Sequence, residues 1–199
     1  KKTNGQFTFD YTDFDKWISF NKKLGIGDKI VCYSIIPWNH KVTYYDEKTD
    51  KNVTVTLDTG SAEWTKMWTA FLKDLMKHME DKGWKEETYI GIDERGFDVR
   101  AFDLIDSIVG KDGEPFKTAG AMDGFVQKKD MAMRVDDLNV GSIAVKDHPT
   151  EFEQMRQERE AAGLRTTVYT CTGHIPGNFS LSAPGESYWT MLYSYSVGG

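Results

Sequence analysis

Five short apolar runs punctuate the chain, and a helix signal stands between almost every pair of them. The runs are KIVCYS (Lys29 to Ser34), TYIGID (Thr88 to Asp93), FKTAGA (Phe116 to Ala121), VGSIAV (Val140 to Val145) and TVYTCT (Thr167 to Thr172). Near-continuous apolar strands alternating with helices predict a parallel sheet, because parallel strands need long crossovers and are covered on both faces. This alternation constrains the fold more than any other feature. It makes the chain α/β.

The helix signals are specific. Thr12-Asp13-Phe14-Asp15 and Thr150-Glu151-Phe152-Glu153 have the form of capping boxes. The first opens a helix carrying Phe14, Trp17, Ile18 and Leu24, with Gly25 behind it; the second opens a helix that Gly163 closes. Ser61 is placed to cap a long helix with Trp64, Trp68, Phe71, Leu72, Leu75 and Met79 on one stripe and Gly83 at its end. A third helix is expected over about Asp98 to Val109, and Pro184 suits the first position of a last one carrying Tyr188, Met191 and Leu192. Lys41 to Tyr45 and Val53 to Leu57 alternate around a polar DEKTDKN, which predicts a β-hairpin inserted after the first strand.

Two parallel architectures fit this pattern. A doubly wound sheet usually shows a glycine-rich phosphate loop, and neither GxGxxG nor GxxxxGK[ST] occurs. A (β/α)8 TIM barrel needs eight strands and typically ~250 residues, so five strands in 199 residues predict a partial barrel. Polar and aromatic residues gather just after the strand ends: Trp38-Asn39-His40, Asp93-Glu94-Arg95, Met122-Asp123, Asp147-His148 and the segment from His174 to Asn178. In barrels that end carries the active site. Asp136-Asp137 precedes the VGSIAV run, away from the proposed site, and is expected to be solvated. The opening KKTNGQ and closing SYSVGG read as the interior of a longer domain.

Composition removes several function classes. Lys plus Arg number 25 against 31 Asp plus Glu, a formal charge of −6, without the basic excess of a nucleic-acid binder. No apolar run approaches the ~20 residues of a membrane span, and no signal-peptide pattern opens the chain. Cys32 and Cys171 both lie in apolar runs and read as buried free thiols, a disulfide being the alternative. His40, His78, His148 and His174 lack HxH or HExxH spacing, so no metal or cofactor is expected; a site built from His40, His174 and acids is the weaker alternative. His78, on the long helix, is expected at the surface. No GxSxG elbow marks a serine hydrolase.

The run TYIGID ends in Asp93-Glu94-Arg95 rather than in a turn residue. Successive side chains on a strand face opposite ways, so the two acids reach one pocket only if the strand ends between them. Two close carboxylates tend to keep one proton between them, which suits glycosidic chemistry: a leaving oxygen needs a proton and a developing cation needs a counter-charge. The alternative is a solvated strand end with Arg95 paired to either acid; a guanidinium beside Glu94 would also lower its pKa. Tyr33, Trp38, Tyr44, Tyr45, Tyr169 and Trp189 could stack on sugar rings, whereas Trp17, Trp64 and Trp68 belong to helix stripes and are expected in the core.

FDYTDFDKWISFNKKLGI, SIIPWNH, TYIGIDERG and TGHIPGNFSLSAPGESYWTMLYSYSVGG together resemble the catalytic barrel of glycoside hydrolase family 123 and related bacterial glycoside-hydrolase-like domains. The resemblance implies a retaining exo-β-N-acetylgalactosaminidase in which the substrate's 2-acetamido oxygen attacks its own anomeric carbon. Carried onto this chain, Glu94 would be the general acid and later the base, and Asp93 would orient the acetamido group. Tyr169 would bond the acetamido oxygen, Trp38 and Trp189 would wall the sugar, and His40, His174 and Asn178 would complete a glycan-binding rim. TYIGID would be the fourth barrel strand, KIVCYS the third and TVYTCT the seventh, with strands one, two and eight outside residues 1–199 and open edges able to pair with a second copy. An extracellular or cell-surface place in a bacterium is implied. A non-catalytic carbohydrate-binding domain, or a glycosidase of other specificity, are the alternatives.

Overall fold

A computed structural model describes residues 1–26, 28–124, 129–170 and 183–196. The chain forms two compact units, Lys1–Gly91 with Asp98–Lys117, and Ile92–Phe97 with Thr118–Gly199.

The first unit contains α1 (Thr12–Lys23), β1 (Ile30–Tyr33), the strands β2 (Lys41–Asp46) and β3 (Lys51–Thr56), α2 (Ala62–Lys82), β4 (Thr88–Ile92, its last residue falling to the second unit) and α3 (Val99–Asp106). β1 and β4 pair in parallel, from Ile30 opposite Thr88 to Tyr33 opposite Gly91. Gly91 is required there: a Cβ would stand 2.9 Å from the Tyr33 ring. β2 and β3 form the predicted antiparallel hairpin. Ser61 caps α2 by accepting from the Trp64 N–H at 3.2 Å, and Gly83 ends it in the left-handed region at φ 70°. The helix buries Trp64, Met67, Leu72, Leu75, Met76 and Met79.

Three expectations fail in this unit. The Thr12 capping box does not form: Thr12 and its hydroxyl instead donate to Asp10 Oδ1, and the residue before the helix makes no side-chain cap. α1 buries no residue, and Trp17 is 64% exposed, because the helix is held by polar contacts rather than by its apolar stripe. His78 is one of those contacts and is not a bare surface residue. Its ring stacks on Tyr11 at 4.1 Å and its Nε2 lies 2.7 Å from Asp15 Oδ1, with Lys82 Nζ 2.6 Å from Asp15 Oδ2.

The second unit contains β5 (Lys117–Met122, its first residue falling to the first unit), α4 (Lys129–Ala132), β6 (Asp137–Gly141), α5 (Ser142–Asp147), α6 (Pro149–Ala161), β7 (Arg165–Tyr169) and α7 (Pro184–Ser196). β5, β6 and β7 are parallel neighbours. The VGSIAV expectation is corrected: the strand begins three residues earlier, and Ser142-Ile143-Ala144-Val145 opens a helix that buries Ala144 and Val145. A short apolar run fits either period, and here packing decides. Asp137 is therefore not solvated; it is 4% exposed as the first residue of β6. The second capping box also fails, since Pro149 occupies the first turn of α6 and no side chain caps it. α7 starts at Pro184 as predicted.

Five parallel strands, intervening helices and one antiparallel hairpin make the chain α/β, consistent with a partial (β/α)8 barrel. No helix among the described residues is long and apolar enough to cross a membrane.

Candidate active site

The predicted acids stand where β4 stops. Ile92 is the last strand residue, and the Arg95 N–H then donates to the Asp93 carbonyl, a three-residue turn centred on Glu94. That turn breaks the strict alternation of the strand, so Asp93 and Glu94 are not fixed on opposite faces. Asp93, Glu94 and Arg95 are all half-buried. None is a fully solvated strand end.

Within the second unit Glu94 has a defined partner. Tyr169, the last residue of β7, donates its phenolic O–H to Glu94 Oε1 across 75 positions of sequence. Glu94 Oε2 carries no hydrogen bond among the described residues. The resemblance implies a bond from Tyr169 to a substrate acetamide; in the structure its hydroxyl donates to Glu94.

The strand face beneath this bond follows from register. Asn139 is opposite Thr167, and Gly141 is opposite Tyr169; Ala121 of β5 is opposite Asn139. With a period of two, Ala119, Ala121, Asn139, Gly141, Thr167 and Tyr169 share one face. The other face carries Leu138, Val140 and Thr166 and lies against helix α6, whose Arg159 Nε donates to Thr166 Oγ1 at 2.8 Å. On the Tyr169 face, Thr167 Oγ1 donates to Asn139 Oδ1 at 2.5 Å. This polar pair was invisible in the sequence, because only the register places Asn139 beside Thr167.

The remaining predicted residues fall in separate places. Trp38 and His40 belong to the first unit, in the loop after β1, where Trp38 is 53% exposed. Asn39 and His40 both hold positive φ, 58° and 54°, an uncommon state for residues with side chains. His40 N–H donates to the Pro37 carbonyl at 3.0 Å, and its buried Nδ1 has no partner among the described residues. Trp189 lies on α7, 63% exposed, its ring parallel to that of Tyr193 at 5.0 Å. His174, Asn178 and Cys171 lie outside the described residues. Cys32 is a free, half-buried thiol that burial pushes up to about 11, which makes it a poor nucleophile.

The first unit also holds a cavity of about 740 Å³, lined by rings that include Phe7, Phe9, Tyr44, Trp68 and Phe71. Of the aromatics expected to stack on sugar, Tyr33, Tyr44 and Tyr45 line it; Asp93, Glu94, Trp38, His40, Tyr169 and Trp189 do not. No group of three His, Cys, Asp or Glu among the described residues is arranged to hold a metal.

Comparison with known proteins adds to this geometry. A family model described as the catalytic domain of glycoside hydrolase 123 matches residues 1–198. A solved structure of a family 123 glycoside hydrolase from Clostridium perfringens, concerned with glycolipid glycan hydrolysis, aligns over 100% of this chain with a TM-score of 0.90 and 39% identity. The chain spans 36% of that protein's length. No curated protein matches.

Proposed function

The chain belongs to glycoside hydrolase family 123, and from that premise we propose that it bears the catalytic acids of a glycosidase cleaving β-linked N-acetylhexosamine, with N-acetylgalactosamine as the sugar. The observation that carries this reading is the turn at Glu94 and its Tyr169 bond, which hold a carboxyl group at a strand end with one oxygen committed and the other open. Glycolipid glycan hydrolysis by the Clostridium perfringens relative supports extending the substrate class to glycolipid glycans.

Glu94 Oε2 is the oxygen through which a proton passes to the glycosidic oxygen as the C1–O bond breaks. The substrate's acetamido carbonyl oxygen bonds to C1 in the same step, giving an oxazoline-type intermediate, and Asp93 holds the acetamido N–H. Glu94, now ionised, takes a proton from water as the water opens the intermediate, and retention follows from two displacements at C1. Families of this kind depart from the two-carboxylate spacing rule because the nucleophile of the first step belongs to the substrate. The adjacency of the acids then has a reason: one serves the leaving oxygen, the other the 2-substituent of the same ring.

The test is hydrolysis of an aryl β-N-acetylgalactosaminide by the full-length protein. Glu94→Gln is expected to lower kcat by about 10²–10⁴. Equal rates for wild type and Glu94→Gln sink the reading. Binding of glycans without turnover assigns the chain instead to a carbohydrate-binding role, and an active enzyme that ignores an N-acyl-thiazoline analogue excludes substrate assistance.

A further inference from the structure

Asn139 has no part in the chemistry assigned to Glu94 and Asp93, yet its side chain is held in a defined orientation. Its Oδ1 is occupied by the Thr167 hydroxyl at 2.5 Å, which fixes the amide plane and leaves the two Nδ2–H donors. Those donors have no protein partner among the described residues, and Asn139 is half-buried rather than sealed in the sheet. A half-buried amide whose acceptor is satisfied has its donors left for an oxygen that arrives from outside the protein.

Its neighbours on the adjoining strands are mostly small. In the same row on β5 stands Ala121, and in the next row up stand Gly141 and Tyr169. Two of these three positions carry a methyl group or nothing, so no large side chain projects from them over Asn139. Tyr169 reaches the next row and bonds Glu94. Asn139 therefore lies two residues, about 7 Å, deeper along the strands than the tyrosine that holds the acid.

We propose that Asn139 is a specificity-determining residue that donates to a ring hydroxyl of the terminal sugar, at O3 or O4, on the side of the ring remote from the bond being cleaved; Thr167 is its positioning residue. The assignment rests on Glu94 as the acid, as proposed above. A sugar whose glycosidic oxygen meets Glu94 at the strand ends presents O3 and O4 to the strand rows below. The amide cannot contact the leaving group, so it acts on which sugar is held rather than on proton transfer.

The experiment is a cycle in the intact enzyme, crossing Asn139→Ala with aryl β-N-acetylgalactosaminides that are complete, 3-deoxy or 4-deoxy. On the complete substrate Asn139→Ala is expected to lower kcat/KM by about tenfold to a hundredfold. On one deoxy substrate the same variant is expected to cost less than about threefold, since the partner hydroxyl is already gone. Thr167→Val is expected to reproduce part of the loss with the same substrate dependence, and Thr167→Ser to restore it. The pH profile is expected to keep its shape in all three variants, while Glu94→Gln alters it. Equal losses on all three substrates overturn this inference and leave Glu94 in its role. A variant that does not fold is replaced by Asn139→Ser, judged by the same cycle. A wild type that hydrolyses none of the substrates removes the Glu94 reading and this one together.

Discussion

The two ends of the second unit's strands use polar groups in opposite ways. At the N-terminal end, Asp136 Oδ2 accepts from the Thr118 N–H at 2.7 Å and its hydroxyl at 2.9 Å, and the Asp136 carbonyl accepts from the Arg165 N–H at 2.8 Å. Arg159 is fully buried there, donating to Thr166 Oγ1 and to the carbonyls of Ala132 and Arg165. Burial works against its charge, and the carboxylates of Asp136 and Asp137 work for it. At the C-terminal end, Glu94 has one committed oxygen and Asn139 one committed atom. Groups at one end are spent on each other; groups at the other end are held but left with capacity. The first arrangement stabilises a fold and, on the function proposed above, the second serves a ligand, the division expected between the two faces of a barrel.

The sharpest way to break this contrast is to exchange the expected phenotypes. Glu94→Gln is predicted to give the largest effect on activity, about 10³ in kcat/KM for an unactivated leaving group, with thermal stability within about 1 kcal/mol of wild type. If it unfolds the protein instead, the C-terminal end is structural and the comparison collapses. Arg159→Ala is predicted to be the largest effect on stability, about 3–5 kcal/mol in denaturant unfolding, because it strands buried acceptors and two nearby acids. Its surviving folded fraction should retain wild-type KM.

Tyr169→Phe separates holding from reacting. It removes one hydrogen bond to Glu94, and is predicted to lower kcat by about tenfold while moving stability by roughly 1 kcal/mol or less. A displaced pH–rate profile would show that the tyrosine acts through the acid; an unchanged profile with raised KM would return it to the substrate acetamide.

The smallest effect is predicted in the first unit, at Asp15. Burial raises its pKa, but the hydrogen bonds from Lys82 and His78 outweigh that, and the carboxyl ends below its usual range. A carboxyl with a lowered folded pKa stabilises the fold above about pH 4, and that contribution fades as pH falls through the folded value. The difference in unfolding midpoint between wild type and Asp15→Asn should therefore be present at pH 7 and vanish in strong acid. A difference that grows on acidification would show that this cluster does not behave as a satisfied ion pair.

The sequence was most informative where a residue acts on its own neighbourhood. Ser61 and Gly83 bound α2 as predicted, the alternating runs gave the hairpin, and TYIGID gave β4, since these depend on contacts a few residues away. It failed where a distant partner decides. Asp136-Asp137 looked solvated because Thr118 and Arg159 lie far off in sequence, and Trp17 looked buried because nothing in its stripe reveals what packs on it. The same limit covers the site. Asp93 and Glu94 stood out as an abnormal strand end, whereas the Tyr169–Glu94 bond and the Asn139–Thr167 pair exist only once the register of β6 and β7 is known.

Both acids ride on consecutive positions of a single bend, so no hinge, sliding helix or rearranged loop elsewhere can separate them. With Glu94 as the proposed acid, a lineage carrying this strand could exchange the surrounding loops, and with them the glycan it accepts, without rebuilding its proton donor. The bend would keep the two carboxyl groups together whatever walls surround them.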